Sequence, residues 1–346
     1  MVITVLLAVA TASAQNVTNV TAEQVNKTIL VSYDLDKQAD ITLFLSTDGG
    51  STYTQLYRVS GDVGQNVSAG HKTVVWDVLT ERDKLVGDNI VFKVKAQGED
   101  NLTFTVNGVT FKMIYVKGGT FMMGCPSKNV RDCYDSELPV HSVTLSDFYL
   151  GETEVTQALW KAVTGCEPDY NGGWTEEFGR GSTSPAYHVS WNECQAFCEE
   201  LNSKLAGQLP SGYRFVLPTE AQWEYAARGG NKSRSCMYSG GNNVGSVAWY
   251  NNNCHNKVHP VKTKKANELG LYDMTGNIYE WCSDWYGSYS SVSQTDPKGP
   301  LSGTRRVLRG CCWCSYDDSC GVTFRGSNTP DHRFKSHGLR LSLVKQ

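Results

Sequence analysis

The sequence predicts two domains: an all-β domain followed by a larger, loop-rich domain of short strands and helices. Three observations predict it. The 346 residues are enough for two separate cores. Residues 15–98 carry short alternating segments with turn residues between them, whereas the chain beyond mixes strand-like runs with three capped helical stretches. The 17 tyrosines, nine tryptophans and 33 glycines suit loops wrapped around an aromatic core better than a helical bundle. A net charge of −3 gives no electrostatic footprint for nucleic acid, which is excluded as an expected partner.

The chain opens with an apolar stretch over residues 1–14 that ends in Ala12-Ser13-Ala14, a small-x-small pattern. It reads as a signal peptide without a basic leading region, and predicts an exported protein: secreted, periplasmic or on the cell surface. No later run of about 18 apolar residues predicts a transmembrane helix. Export makes the twelve cysteines compatible with disulfides. Strand patterns follow at 28–35, 41–46, 53–57, 72–78 and 90–96, with Asp48-Gly49-Gly50 as one of the turns. Such spacing predicts an antiparallel β-sandwich over 15–98, of the immunoglobulin or fibronectin kind. It holds no catalytic cluster, so a spacer or docking role is expected, with adhesion as the alternative. Residues 99–110 read as a linker.

The second domain is expected over 111–346. Strands at 111–116 and 120–124, joined at Gly118-Gly119, predict a hairpin. Further strand-like runs cover 139–145 and 148–156. Thr156 can cap a helix over 157–163. Ser190, with Glu193 completing a capping box, starts a helix over 191–205. Its apolar face falls on Cys194, Phe197, Cys198 and Leu201 at helical spacing. Cys194 and Cys198 are either a local bridge or two buried thiols. Thr219 caps a third helix, which Gly229 stops. His141, His188 and His259 are scattered with no partner at a recognisable spacing, and are read as structural.

Five words in this region carry a family resemblance. They are Met-Ile-Tyr-Val-Lys-Gly-Gly-Thr-Phe at 113–121, Glu-Val-Thr-Gln at 154–157, Val-Ser-Trp at 189–191, Leu-Pro-Thr-Glu-Ala-Gln-Trp-Glu-Tyr-Ala-Ala-Arg-Gly at 217–229 and Gly-Leu-Tyr-Asp-Met-Thr-Gly-Asn-Ile-Tyr-Glu-Trp at 270–281. In this order they resemble the formylglycine-generating enzyme, or sulfatase-modifying factor, domain. The resemblance implies an α+β fold of the C-type-lectin-like kind, poor in regular structure. It also implies structural Ca²⁺ around the Gly-Asn-x-x-Glu-Trp word, with Asn277 and Glu280 as the expected oxygen ligands. The enzymes of the family oxidise a substrate cysteine to formylglycine, using a pair of reactive cysteines with Cu(I) and O₂. Thiolates are the appropriate soft ligands for that ion. Here the catalytic pair would be Cys314 and Cys320, and this sequence departs from the pattern. The two are separated by five residues rather than four, and Ser315 stands nearer the position of the first cysteine.

The tail, 305–343, has a second resemblance, to the variable region of proteins diversified by retroelements on the same fold. Adenine mutagenesis of asparagine-type codons there reaches Phe, Ser, Tyr, Cys, His, Asp and Gly, but never Lys, Glu, Gln, Met or Trp. The positions between the framework words are Cys314, Ser315, Tyr316, Asp317, Asp318, Ser319, Phe324, Gly326, Ser327, His332, Phe334, Ser336 and His337, and all fall in the reachable set. Tyr, Ser, Asp and Phe also form the adaptable mixture of antibody-like binding loops. The favoured reading is a non-catalytic protein that takes a protein or glycan ligand on this surface; the alternative is the oxidase. Trp313, Cys320, Val322, Arg325 and Arg340 should then face the core. Tyr316, Asp317, Phe324, Phe334 and His337 should share an exposed patch.

Overall fold

The computed structural model describes residues 17–85, 89–98, 101–125, 133–170 and 172–346. The stretch expected to be a signal peptide lies outside them. The chain divides into two compact units between Asp100 and Asn101. Among the described residues no helix is long and apolar enough to cross a membrane.

In the first unit, strand Thr28–Leu35 alternates half-buried and buried residues, sending Ile29, Val31, Tyr33 and Leu35 inward. It lies between Val17–Val25 and Gly70–Asp77, and Val59–Gly61 closes the edge. A second antiparallel sheet centres on Ala39–Ser46, paired with Thr54–Gln55, Gly64–Val67 and Val91–Gly98. Its Ile41, Leu43 and Leu45 share one apolar core with the first sheet, including Trp76 and Phe92 packed edge to face at 5.9 Å.

The second unit begins earlier than the linker reading allowed. Leu102–Val106 pairs with Val109–Val116 across Asn107 and Gly108, both at positive φ. An Asn-Gly pair takes that backbone at little cost, and this signal outweighs the polar composition of 99–110. The hairpin expected at Gly118-Gly119 does not form. Val109–Val116 instead pairs with Phe148–Gly151, while Gly119–Met123 crosses to His141–Leu145 in another sheet. Gly118 is needed for the crossing itself, since a Cβ there would meet Leu145 O at 2.2 Å.

Three helices follow where their caps place them. In α1, Gln157–Thr164, the Thr156 side chain accepts from Leu159 N. Ser190 and Glu193 form the reciprocal box of α2, Trp191–Leu205, as Thr219 and Gln222 do for α3, Glu220–Ala227. Trp160 stacks on Phe197 at 5.0 Å, joining α1 to α2. Cys194 and Cys198 are buried free thiols on the inner face of α2.

Two sheets position the tail. Ser342–Lys345 inserts between Tyr213–Val216 and Phe148–Gly151, so the end of the chain lies inside a five-stranded antiparallel sheet. Tyr279–Trp285 pairs with Arg306–Arg309 on one side and His337–Gly338 on the other. The tail is thus pinned at 306–309, 337–338 and 342–345, and the exposed Cys314, Tyr316, Asp317, Asp318 and Phe334 fall between the first two of these strands.

Candidate functional site

Three buried arginines hold the tail to the body. Arg309 pairs with Glu224, donates to the carbonyls of Thr323 and Phe324 at 2.9 and 2.8 Å, and lies over the Trp223 ring. Arg325 grips Glu220 through two bonds of 2.6 and 2.7 Å and stacks on Tyr289 at 3.8 Å. Arg340 makes the same forked grip on Glu280 and reaches the carbonyls of Gly151 and Tyr272, each at 2.8 Å. Glu220 and Glu224 lie one turn apart on α3, so one helix face supplies two of the three counter-charges. Sequence reasoning missed these partners. The signal for two of them was the Glu-x-x-x-Glu spacing inside the 217–229 word, both residues on one helical face.

On this frame Trp313 N donates to Asn277 O at 2.8 Å, and the Trp313 ring stacks on Phe178. A 3₁₀ turn, Asp317–Cys320, follows. Trp313, Cys320, Val322, Arg325 and Arg340 are all buried, as expected. Tyr316, Asp317, Asp318, Cys314 and Phe334 are exposed, Tyr316 by 63% and Phe334 by 44%. Ser319, Phe324, Gly326, Ser327 and His332 are half-buried, with Phe324 against Tyr134 at 5.5 Å.

Three of the expected surface residues are buried instead. Ser315 accepts from Cys312 N and meets the Tyr279 hydroxyl at 3.2 Å. Ser336 lies under the same strand, its carbonyl accepting from Tyr279 N at 2.7 Å. His337 belongs to the sheet and packs on Trp281 and Tyr279 at 5.5 and 6.0 Å. Burial, with His332 and His188 nearby, pulls its pKa down to about 3, so it stays neutral. Sequence gives the residue type at these positions, whereas pairing with 279–280 decides which way they face.

The cysteines also differ from expectation. Cys320 is bonded to Cys311 in a disulfide spanning nine residues, so the expected pair of Cys314 with Cys320 is not assembled. Cys314 lies against Cys312, sulfur to sulfur at 2.8 Å. A copper ion held by two thiolates has no fit at 314 and 320, because one of the sulfurs is spent. A second disulfide joins Cys125 to Cys133.

Calcium does not fit Asn277 with Glu280 either. Both Glu280 oxygens are occupied by Arg340 and by Trp223 Nε1, and the Asn277 amide oxygen accepts from His259 N at 2.9 Å. A cation between them would have to displace a guanidinium. Asn277, at positive φ, instead ties two loops together, its amide also donating to Glu154 and to His259 O. One oxygen of the buried Glu154 has no partner. Burial first, then Asp273 and Glu280, push the Glu154 pKa well up, and burial raises that of Asp273 to about 6. Among the described residues one group of three metal-capable side chains lies together, Cys125, Cys133 and Glu137, and both its sulfurs are spent on the bridge.

Residues 102–344 match the sulfatase-modifying factor enzyme 1-like domain. The chain is 30% identical over 283 residues to the chaperone protein LppX of Paenibacillus barcinonensis, covering 68% of this chain and 91% of that one. It is 31% identical over 291 residues to the formylglycine-generating enzyme of Streptomyces coelicolor, covering 66% and 88%. Among solved structures, Treponema denticola variable protein 1 superposes with a TM-score of 0.62 at 33% identity, over 70% of this chain and 98% of that one. PvdO from Pseudomonas aeruginosa, at 23% identity and a TM-score of 0.58 over 70% and 97%, shares the fold alone. With its motif words, its C-type-lectin-like second unit and these relatives in agreement, the chain belongs to the sulfatase-modifying factor (formylglycine-generating enzyme-like) domain family.

Proposed function

We propose that this protein is an exported, non-catalytic binder that presents a retroelement-diversified surface on its tail to a protein or glycan ligand. The observation that carries the reading is the division of labour within residues 305–343. Arg309, Arg325, Arg340 and Trp313 are buried and tie the tail to the body, while the side chains of Tyr316, Asp317, Asp318 and Phe334 are exposed. Such a frame tolerates change at its exposed positions, as antibody-like loops do. The likeness to the Treponema variable protein supports the same reading. The first unit, read as an immunoglobulin- or fibronectin-like sandwich, serves as a spacer. Export rests on the Ala12-Ser13-Ala14 pattern.

The identity to formylglycine-generating enzymes keeps the oxidase as the second reading. The Cys311–Cys320 bridge and Ser315 both weigh against it. The deciding assay supplies the full chain with copper, oxygen and a peptide bearing Cys-x-Pro-x-Arg. No aldehyde is expected, and aldehyde that depends on Cys320 would overturn the binding reading. Diversification is tested at the locus: a near-copy of the DNA for 305–343, differing at adenines and beside a reverse transcriptase, is expected. A locus with no such copy would remove diversification and leave only a fixed binding surface.

A further inference from the structure

The tail holds a second pair of sulfurs, Cys312 with Cys314, that neither reading uses as a pair. Cys312 and Cys314 are separated by one residue, and their Sγ atoms lie 2.8 Å apart, inside van der Waals contact. The two are unlike. Cys314 is exposed, whereas Cys312 is buried behind it. The turn that brings them together is built from polar bonds: Ser315 N donates to Cys312 O at 2.9 Å, Cys312 N donates to Ser315 Oγ at 3.2 Å, and Cys312 Sγ lies 3.3 Å from the same hydroxyl. The Tyr279 hydroxyl reaches Ser315 Oγ at 3.2 Å and completes the chain of hydroxyls beside the sulfurs. The neighbouring sulfurs, Cys311 and Cys320, are already bonded to each other and do not compete.

We propose that Cys314 and Cys312 form a thiol–disulfide exchange site, with Cys314 as the attacking sulfur, Cys312 as the resolving sulfur and an accessible small disulfide as the substrate. In the first step the Cys314 thiolate attacks one sulfur of RS–SR. A bond from Cys314 to SR forms, the RS–SR bond breaks, and the first RS⁻ leaves and takes up a proton from water. Cys312 then gives up its proton to water and attacks Cys314 Sγ. The Cys312–Cys314 bond forms, the second RS⁻ leaves, and it is protonated in turn. Two protein thiols are oxidised, one disulfide is reduced to two thiols, and the protons lost by the cysteines are balanced by those the products gain.

Three features of the site suit these roles. An attacking sulfur must be reachable, and Cys314 is. Its resolving partner must be close and shielded, so that the mixed disulfide is attacked from within before another small thiol arrives. Cys312 meets both conditions. The attacking sulfur also gains from carrying charge. A hydrogen bond from Cys312 leads the causes that lower the Cys314 pKa to about 7, with the Ser336 hydroxyl and the Lys335 cation adding to it, while burial holds Cys312 protonated. The inference goes beyond ligand binding and stands whether or not the exposed tail residues take a protein or glycan.

The test uses the full chain, treated with a reductant mild enough to leave the Cys125–Cys133 and Cys311–Cys320 bridges, then mixed with glutathione disulfide. Digestion without reduction, followed by mass mapping, reads every sulfur. The expected product is a Cys312–Cys314 link with both original bridges intact and two glutathiones released. The intermediate at Cys314 should form at least about tenfold faster than glutathione adds to Cys166, an exposed free cysteine that serves as the internal reference. In Cys312→Ser the glutathione should remain on Cys314, and Cys314→Ser should lose the fast phase. Wild-type protein that keeps glutathione on Cys314 without forming the link overturns the proposal. Modification of Cys314 no faster than Cys166, or capture by Cys311 or Cys320, overturns it as well. The wild-type map decides these outcomes even if a variant fails to fold.

Discussion

Asp284 shows how a single buried group sets a pH response. Its carboxylate accepts from Glu220 N at 2.9 Å and from the Ser283 hydroxyl at 3.0 Å, yet burial, and then the nearby Glu220 charge, raise its pKa to about 7. An acid whose folded pKa lies above its unfolded value of about 3.9 binds its proton more tightly in the folded state. Stability from this group is therefore present at low pH and is lost as pH rises from about 4 to about 7, by at most about 1.4 kcal/mol per pH unit. Asp284→Asn removes the titration. Its melting temperature, relative to wild type, should climb across that window and level off above it; a constant difference would refute the account. Cys320 makes a second case at this scale. Its sulfur closes a nine-residue loop rather than merely packing, so Cys320→Ser should cost about 2–3 kcal/mol in a denaturant titration. A loss below about 1 kcal/mol would mean the bridge contributes little beyond packing.

At the scale of elements, the arginine frame joins pieces of chain that no local rule brings together. Arg340 links the strand Tyr279–Trp285, through Glu280, to the end of Phe148–Gly151, through Gly151 O. Its charge also lowers the pKa of both Glu154 and Asp273, against the burial that raises them. Arg340→Met should thus cost about 3–5 kcal/mol, because the buried Glu280 carboxylate loses its forked partner and Asp273 loses a neighbouring positive charge. An unchanged slope with a lowered urea midpoint would mark it as a stability loss; a shift worth less than about 1 kcal/mol would show that the acids protonate without penalty. The helices, in contrast, were legible from sequence. Thr156, Ser190 and Thr219 cap over three residues, and a bond that local depends on little else. The Asn107-Gly108 turn is equally local, a two-residue signal flanked by strand-like runs, whereas Gly118-Gly119 carries a crossing between sheets. The pairing of Val109–Val116 with Phe148–Gly151 was not legible, since its register joins residues as far apart in sequence as Met113 and Gly151. Asn277 and Glu280 were misread for a related reason. Sequence shows that a residue can give oxygen to a cation, and only the fold shows that Arg340 and His259 have taken those oxygens first.

At the scale of the whole molecule, each apolar cluster among the described residues draws its members from one unit. Every member of the core built on Tyr33, Leu43 and Trp76 precedes Asp100, and every member of the clusters around Phe197, Trp223 and Cys311 follows it. A unit whose buried side chains all come from its own residues has what it needs to fold by itself. The second unit is also tied at both ends by its own strands, with Leu102–Val106 at one edge of the sheet that holds Ser342–Lys345. Cutting between the units should therefore leave 101–346 with its framework intact, including the two bridges and the three arginine–glutamate pairs. Expressed as separate pieces, 17–98 and 101–346 are each expected to unfold cooperatively, and the heat-capacity trace of the full chain should be close to their sum. A domain cut at residue 111, where the linker was expected to end, should fare worse, because it deletes the edge strand that buries Phe104 and Val106. If the 101–346 piece melts no higher than the 111–346 piece, the strand Leu102–Val106 adds nothing to the fold, and the boundary belongs where the composition first placed it.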